Sequence, residues 1–291
     1  MENLEQNESK KSEVLILNPE LLDKKIEKLK EGGLGALHVA ADFDKTLTYA
    51  YLGDKKFPSI ISLLRDGNHL TPDYAEKAHA LFDHYHPTEI DLKIPKEKRM
   101  EAMGEWWSKH FQLLIDSGLN KKDLEDIVQS ERIKFRSGIK ELLENLNEND
   151  VPALVISSNG VGDTIQMILE KEGLNFPNIH IITNTFQFDE DGKAIKPNEP
   201  TIHSMNKNEI AVKNYPVFDL IKNRKNVLLL GDSIDDLGMV EGFDYENLIS
   251  IGFLNEEVEK NKDEYLKNFD ALVTNDGGAE YVNELMRRIL G

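Results

Sequence analysis

The stretch HVAADFDKTLT, residues 38–48, decides how the rest of the chain is read. A short apolar run ends in two aspartates, Asp42 and Asp44, with one phenylalanine between them. Its length and its apolar character predict a buried strand, ALHVAADFD. Residues two apart on an extended segment point the same way, so both carboxylates project toward one place. Two such groups repel unless a cation lies between them or one keeps its proton. Both conditions have a chemical use. One aspartate can act as a nucleophile, and a second, partly protonated, can hand a proton to a leaving oxygen. For an isolated D-x-D-x-T the plainer reading, an acidic strand end whose Asp and Thr46 cap a helix, is equally open.

Outward from this stretch the chain divides by texture. Upstream, Asn18-Pro19-Glu20 reads as a helix start, with Leu21, Leu22, Ile26 and Leu29 at helical spacing up to Gly32-Gly33. From 57 to 135 the segments Pro72–Tyr85, Lys96–Ser117 and Lys121–Ile133 read as helices, with no convincing strand. From Arg136 helices and strands alternate. Helix Ile139–Asn147, strand Pro152–Ser157, helix Asp163–Glu172 and strand Ile179–Thr183 precede a hairpin at Phe186–Ile195 that turns at Glu190-Asp191-Gly192. Strands at 226–232, Leu248–Ile251 and Ala271–Val273 then alternate with helices at Ile234–Glu241, Glu256–Tyr265 and Ala279–Leu290. Such alternation means crossover connections and a parallel sheet covered on both faces. The expected fold is α/β: a Rossmann-like core from 14–56 and 136–291, an inserted helical domain at 57–135 and a polar tail at 1–13.

At 291 residues, 40% of them hydrophobic, the chain can bury a sizeable core. Its 53 acidic and 35 basic residues give a formal charge of −18, which opposes contact with nucleic-acid polymers and anionic membranes. Without cysteine there are no disulfides, zinc–thiolate sites or thiol catalysis. The tail MENLEQNESKKSE lacks an apolar core, and no run approaches the ~20 residues that span a bilayer, so a soluble, cytoplasmic protein is expected; a monomer is the expectation for its assembly, though no sequence feature points to it.

In a parallel α/β sheet, ligands sit beyond the C-terminal strand ends. That rule nominates Asp42–Thr46, Ser157–Asp163 and Gly231–Asp236. GDSIDD brings Asp232, Asp235 and Asp236 to the same sheet edge as DFDKT, and such hard oxygen ligands suit Mg²⁺. SSNGVGD offers a hydroxyl and backbone N–H groups at a helix start, suited to a phosphate oxygen; a plain serine–glycine loop with Asp163 as N-cap is the alternative. A phosphoryl-transfer site also needs a fixed positive charge. Lys207, 25 residues before Asp232, and Lys213 are both available, and spacing does not choose between them.

D-x-D-x-T, a serine after a strand, a lysine and G-D-x-x-x-D, in this order, resemble the haloacid dehalogenase-like (HAD) phosphohydrolases. The set DFDKTLT, SSNGVGD, FQFDEDG, HSMNKNE and GDSIDDLGM resembles the type III cytosolic 5′-nucleotidases, or pyrimidine 5′-nucleotidases, from about residue 18 onward. The resemblance implies Mg²⁺-dependent hydrolysis of nucleoside 5′-monophosphates through an aspartyl-phosphate. It implies Asp42 as nucleophile and metal ligand, Asp44 as general acid/base that also offers its backbone carbonyl to the metal, and Asp232 as the remaining protein ligand. Ser158, with Asn159 and Gly160, would hold the phosphate; Lys207, in the family's N-K segment, would pair with phosphate and nucleophile; Asp236 would orient Lys207 or metal-bound water. Two departures stand out: Ser157 and Ser158 are adjacent hydroxyls, and Asp235 replaces a glycine common in the family.

The resemblance also makes the helical insert a cap that reads the base. YHPTEID nominates Glu89, and GEWWSKHF nominates Trp107 as a stacking platform. Trp106 and Trp107 are neighbours that cannot share a helix face, so one of them belongs to the core. Tryptophan at 107 resembles the branch that also takes 7-methylguanosine monophosphate, whose cationic base gains roughly 0.5–2 kcal/mol over an indole. His110 stands where pyrimidine-preferring members tend to have serine. UMP, CMP and 7-methyl-GMP are therefore the expected substrates, with phosphoserine, a sugar phosphate or phosphate transfer to a second nucleoside as alternatives. DHYH, residues 83–86, reads as a solvated helix end rather than a metal site.

Overall fold

Seven strands form the central sheet, in the order β1 (Val14–Leu15), β11 (Ala271–Thr274), β10 (Asn247–Leu254), β9 (Asn226–Gly231), β2 (Leu37–Ala41), β5 (Ala153–Val161) and β6 (Ile179–Asn184). This computed structural model describes residues 11–52, 55–67, 69–91, 93–207, 212–213 and 215–291. Residues 1–10 of the polar tail and Asn208-Glu209 of HSMNKNE lie outside the described residues.

All neighbours in the sheet run parallel except β1, which pairs antiparallel with β11. Only two residues long, β1 carries no periodicity that the sequence could display. From β2 the chain builds one side of the sheet through β5 and β6, then returns to build the other through β9, β10 and β11. β2 is therefore the topological switch point, where a crevice opens beyond the strand ends. Two short hairpins complete the strands: β3 (Tyr51–Leu52) with β4 (Lys55–Lys56), and β7 (Phe186–Phe188) with β8 (Ala194–Pro197). The second matches the expected FQFDEDG hairpin; the first lies just before the helical insert, where the sequence predicts no element.

Alternation along each strand sorts the core into two faces. Val39, Val155, Leu228 and Leu230 join one hydrophobic cluster with Leu22, Ile26 and Leu29 of α1 (Pro19–Gly32). Ala40, Leu154, Ile156, Val227 and Leu229 join the other. The α/β expectation is thus met. Asn18 caps α1 as expected, its Oδ1 accepting the Leu21 amide at 3.0 Å.

Among the described residues, four helices fill the stretch between β4 and Phe135: α2 (Ile60–Asp66), α3 (Tyr74–Ile90), α4 (Lys96–Asp116) and α5 (Lys121–Gln129). Its two ends run side by side, joined by the Thr48–Phe135 bridge, Tyr49 N–H to Lys134 C=O at 2.9 Å and Arg136 N–H to Leu47 C=O at 3.0 Å. Ile60, Leu63, Trp107 and Phe111 pack into the same cluster as Val39 and Val155. Both tryptophans are buried, against the expectation of one: Trp107 packs in that cluster, and Trp106 in a separate one with Tyr85, Met103 and Met205. Further helices are α6 (Ile139–Glu148), α7 (Thr164–Lys171), α8 (Val217–Ile221), α9 (Val258–Asn268) and α10 (Glu280–Leu290). Among the described residues, no helix is long and apolar enough to cross a membrane.

Candidate active site

Asp42 follows β2 directly, its amide donating to Leu230 C=O of β9 at 3.0 Å. Residues 43–47 make a wide turn in which Lys45 takes φ 60. Asp42 makes no side-chain cap bond, and the buried Thr46 hydroxyl has no partner, so the capping alternative falls. Behind the turn sits Arg136, whose side chain is wholly buried. Its guanidinium donates to the carbonyls of Lys45, Thr46 (2.9 Å) and Gly277 (2.6 Å) and to Asn255 Oδ1 (2.7 Å), and pairs with Asp276 at 2.9 Å. This anchor is invisible to motif spacing, because its acceptors are mostly backbone carbonyls.

Lys207 is buried, and its ammonium donates to Asp42 Oδ1 and, at 3.2 Å, to Asp236 Oδ1. Lys213 lies elsewhere, 6.0 Å over the Phe218 ring. Of the two lysines that spacing left open, it is Lys207 that lies against the carboxylates. The other oxygen of Asp236 accepts the amides of Asp232 (3.1 Å) and Ser233 (3.0 Å), folding Ile234–Val240 into a 3-10 turn where an α-helix was expected. Asp236 can fold back because residue 231 is glycine: a Cβ there would lie 2.6 Å from Asp236 Cβ. Gly231→Ala is expected to displace Asp236 and destabilise the protein by about 1–3 kcal/mol. Equilibrium unfolding checks it; an unchanged midpoint would show that the turn has room.

Carboxylate oxygens of Asp42, Asp232 and Asp236 lie within 4.8 Å of one another. Burial pushes the Asp42 carboxyl well above the carboxylate range, Lys207 opposes this, and Asp236 and Asp232 add to it. Asp232 is raised to about 7, by burial and then by Asp236. Asp44 is raised to about 6 by burial, against the pull of Lys207 and Lys45. Burial disfavours the Lys207 ammonium, but Asp236 and Asp42 outweigh it and raise its pKa. The cluster carries more negative charge than one ammonium balances, in oxygen ligands suited to a hard divalent cation. Asp236 is committed through both oxygens, which leaves Asp42 and Asp232 the freer ligands.

SSNG continues β5 past its expected end at Ser157, as an irregularity where the register with β6 shifts between Ile156 and Val161; α7 begins at Thr164 with Asp163 in the N-cap position, as expected. Ser157 Oγ donates to Asp44 Oδ2 at 3.4 Å and accepts the Gly160 amide at 3.0 Å. Gly160 abuts Thr183, whose Oγ1 would lie 2.1 Å from any Cβ at 160. Asn159 is half-buried, and Ser158 is held through its carbonyl by Asn184 Nδ2 at 2.8 Å. Asn184 also exchanges bonds with Ile202 (2.8 and 2.9 Å), tying this loop to the segment that carries Lys207. Sequence reading missed Asn184, whose only signal is its place at the C-terminal end of a strand.

Glu89 ends α3 beside that same segment, Oε1 accepting from Ser204 Oγ at 2.7 Å and Oε2 lying 3.1 Å from His86 Nδ1. On α4, Trp107 and His110 stack with centroids 5.9 Å apart. His110 Nε2 lies 2.9 Å from the Tyr74 hydroxyl, and burial lowers its pKa to about 4, so the ring is neutral near pH 7. Among the described residues, no hydrogen bond or ion pair joins Trp107 or His110 to the carboxylates. The structure thus gathers Asp42, Asp44, Ser157, Lys207, Asp232 and Asp236, with Glu89 beside the segment that carries Lys207, while Trp107 and His110 pack against each other and His110 against Tyr74.

A carboxylate cluster at the switch point of this sheet defines a hydrolase of the HAD class, the fold shared by solved neighbours. The family model for the pyrimidine 5′-nucleotidases (UMPH-1) matches residues 45–290, and the chain belongs to that family. It is a phosphoric monoester hydrolase, as the motif order implied. A 7-methylguanosine phosphate-specific 5′-nucleotidase of Gallus gallus is 33% identical over 97% of this chain and 98% of its own length. The Homo sapiens protein of that name is 34% identical over 96% and 93%. The crystal structure of cytosolic 5′-nucleotidase IIIB bound to cytidine superposes with a TM-score of 0.86 at 26% identity, covering 95% of this chain and 93% of that one.

Proposed function

We propose that this chain is a Mg²⁺-dependent 5′-nucleotidase acting on 7-methylguanosine monophosphate and on pyrimidine nucleotides such as UMP and CMP. The observation that carries the reading is Lys207, buried between Asp42 and Asp236 with Asp44 alongside. The relatives' specificity for 7-methylguanosine phosphate and the family's pyrimidine nucleotides support the choice of base.

Asp42 and Asp232 would hold Mg²⁺ with the Asp44 carbonyl; the ion supplies charge neutralisation on the phosphoryl oxygens. Lys207 favours the ionised form of Asp42, as the bound ion would, and faces the phosphate. Asp42 attacks phosphorus, the bond to the 5′ oxygen breaks, and Asp44 gives that oxygen its proton. Water then attacks the aspartyl-phosphate, Asp44 takes its proton, and phosphate leaves with Asp42 restored. A carboxyl near 6 suits both duties. Ser157 steadies Asp44, leaving the Ser158 hydroxyl with Asn159 and Gly160 for the phosphate. The helices of residues 57–135 act as a cap that excludes water, and Glu89, Trp107 and His110 read the base.

Phosphate release from UMP, CMP, dTMP and 7-methyl-GMP with Mg²⁺ tests the reading; release from none of them overturns it. Asp44→Asn is expected to lower kcat by about 10²–10⁴-fold on nucleotides. On p-nitrophenyl phosphate, whose leaving group needs no proton, the loss in the first half-reaction is expected to be much smaller. Equal losses on both would remove Asp44 from proton transfer.

A further inference from the structure

Asp235, the carboxylate standing where the family commonly has glycine, has no part in the chemistry above. Its partner comes from the helical insert: Arg99 Nη2, in the first turn of α4, lies 3.6 Å from Asp235 Oδ2. The Arg99 side chain is only 8% exposed, and its Nε and Nη2 both donate to Glu89 C=O, at 3.0 and 2.5 Å. A guanidinium so buried needs a counter-charge nearby, and Asp235 supplies it. Around this pair, Glu89 bonds Ser204, and Lys96 pairs with Glu241 at 3.1 Å. Residues 89–99 are therefore pinned to residues 204–241 at three points. The central one sits beside Asp236, the residue that holds Lys207.

We propose that the Arg99–Asp235 pair is a latch by which the turn carrying Asp236 fixes Glu89 in register over the site, and so sets selectivity for the base. Asp235 is a positioning residue: it touches Arg99, Arg99 holds the Glu89 carbonyl, and Glu89 faces the ligand. The inference rests on the reading of Glu89 as a base contact.

Asp235→Asn is expected to raise KM for the preferred nucleotide about five- to tenfold with kcat within about twofold. Ribose 5-phosphate, which has no base, should be hydrolysed by this variant within about twofold of the parent rate, because only Glu89 has moved. Asp235→Glu should recover most of the lost affinity. Arg99→Met combined with Asp235→Asn should cost no more than Arg99→Met alone. Equal losses on nucleotide and ribose 5-phosphate would overturn the latch, since Asp235 would then be acting through Asp236 on the chemistry. Amide exchange at 86–91 in the unliganded protein is expected to quicken in Asp235→Asn. Unchanged exchange there overturns the latch whatever the substrate proves to be, whereas failure of every nucleotide in the parent enzyme overturns only the functional reading.

Discussion

Asp42→Asn is expected to abolish phosphate release from nucleotides, by about 10⁴-fold in kcat, without unfolding the protein. The substitution keeps the volume of a fully packed side chain, so the end of β2 and its bond to Leu230 are retained. It removes one of the two carboxylates that accept from the Lys207 ammonium and belong to the acidic cluster. Lys207 keeps Asp236 at 3.2 Å, so its charge is not stranded. Meanwhile the cluster loses a carboxylate that burial already disfavours, and the metal-free thermal midpoint should hold or rise. Added Mg²⁺ should raise that midpoint less than it does in the parent, because a ligand is gone. Activity within about tenfold of the parent on the best nucleotide would place the nucleophile elsewhere.

The strand ends were legible because parallel strands buried on both faces read as apolar runs, and the acids stop those runs abruptly. Asp42, Asp232 and Asp236 could thus be assigned to one sheet edge before any coordinate was known. Lys207 could not be separated from Lys213 by spacing, since a lysine's partner is set by how a loop crosses the sheet; the resemblance chose it, and burial between two aspartates explains the choice. Three features resisted reading for physical reasons. The irregular end of β5 depends on Gly160 packing on Thr183, a contact between strands. The 3-10 turn at Ile234–Val240 depends on Asp236 folding back over Gly231. Arg136 and Asn184 work on backbone carbonyls, which every residue has and no motif marks. The tryptophan pair misled in the same way. A helix presents neighbours to different faces, but α4 is covered on more than one side, so Trp106 and Trp107 are both buried in different clusters.

Lys207→Met is expected to be the most damaging change to stability as well as to rate. It leaves Asp42, Asp232 and Asp236 within 4.8 Å of one another with no ammonium among them. Breaking a buried pair from one side costs about 3–5 kcal/mol, and losing a preorganised charge on the phosphate costs about 10²–10³-fold in kcat. The pH dependence separates this electrostatic cause from lost packing of the lysine stem. Asp42 and Asp232 have folded-state pKa values above the ordinary 3.8, Asp232 at about 7, so between these limits the native state holds protons that the unfolded chain has released. Their contribution to stability is present in full below the ordinary carboxylate value and is lost as pH rises through the folded one. Without Lys207 both values climb further, so the deficit against the parent should be largest above about pH 7 and shrink toward about pH 5. Mg²⁺ should restore part of the stability at the alkaline end, where the carboxylates are ionised and free to bind it. Denaturant unfolding across that range, with and without Mg²⁺, reads the difference. A deficit that is flat with pH and indifferent to Mg²⁺ would mean that Lys207 serves the fold through its aliphatic stem, and that the ammonium does not lower the Asp42 pKa.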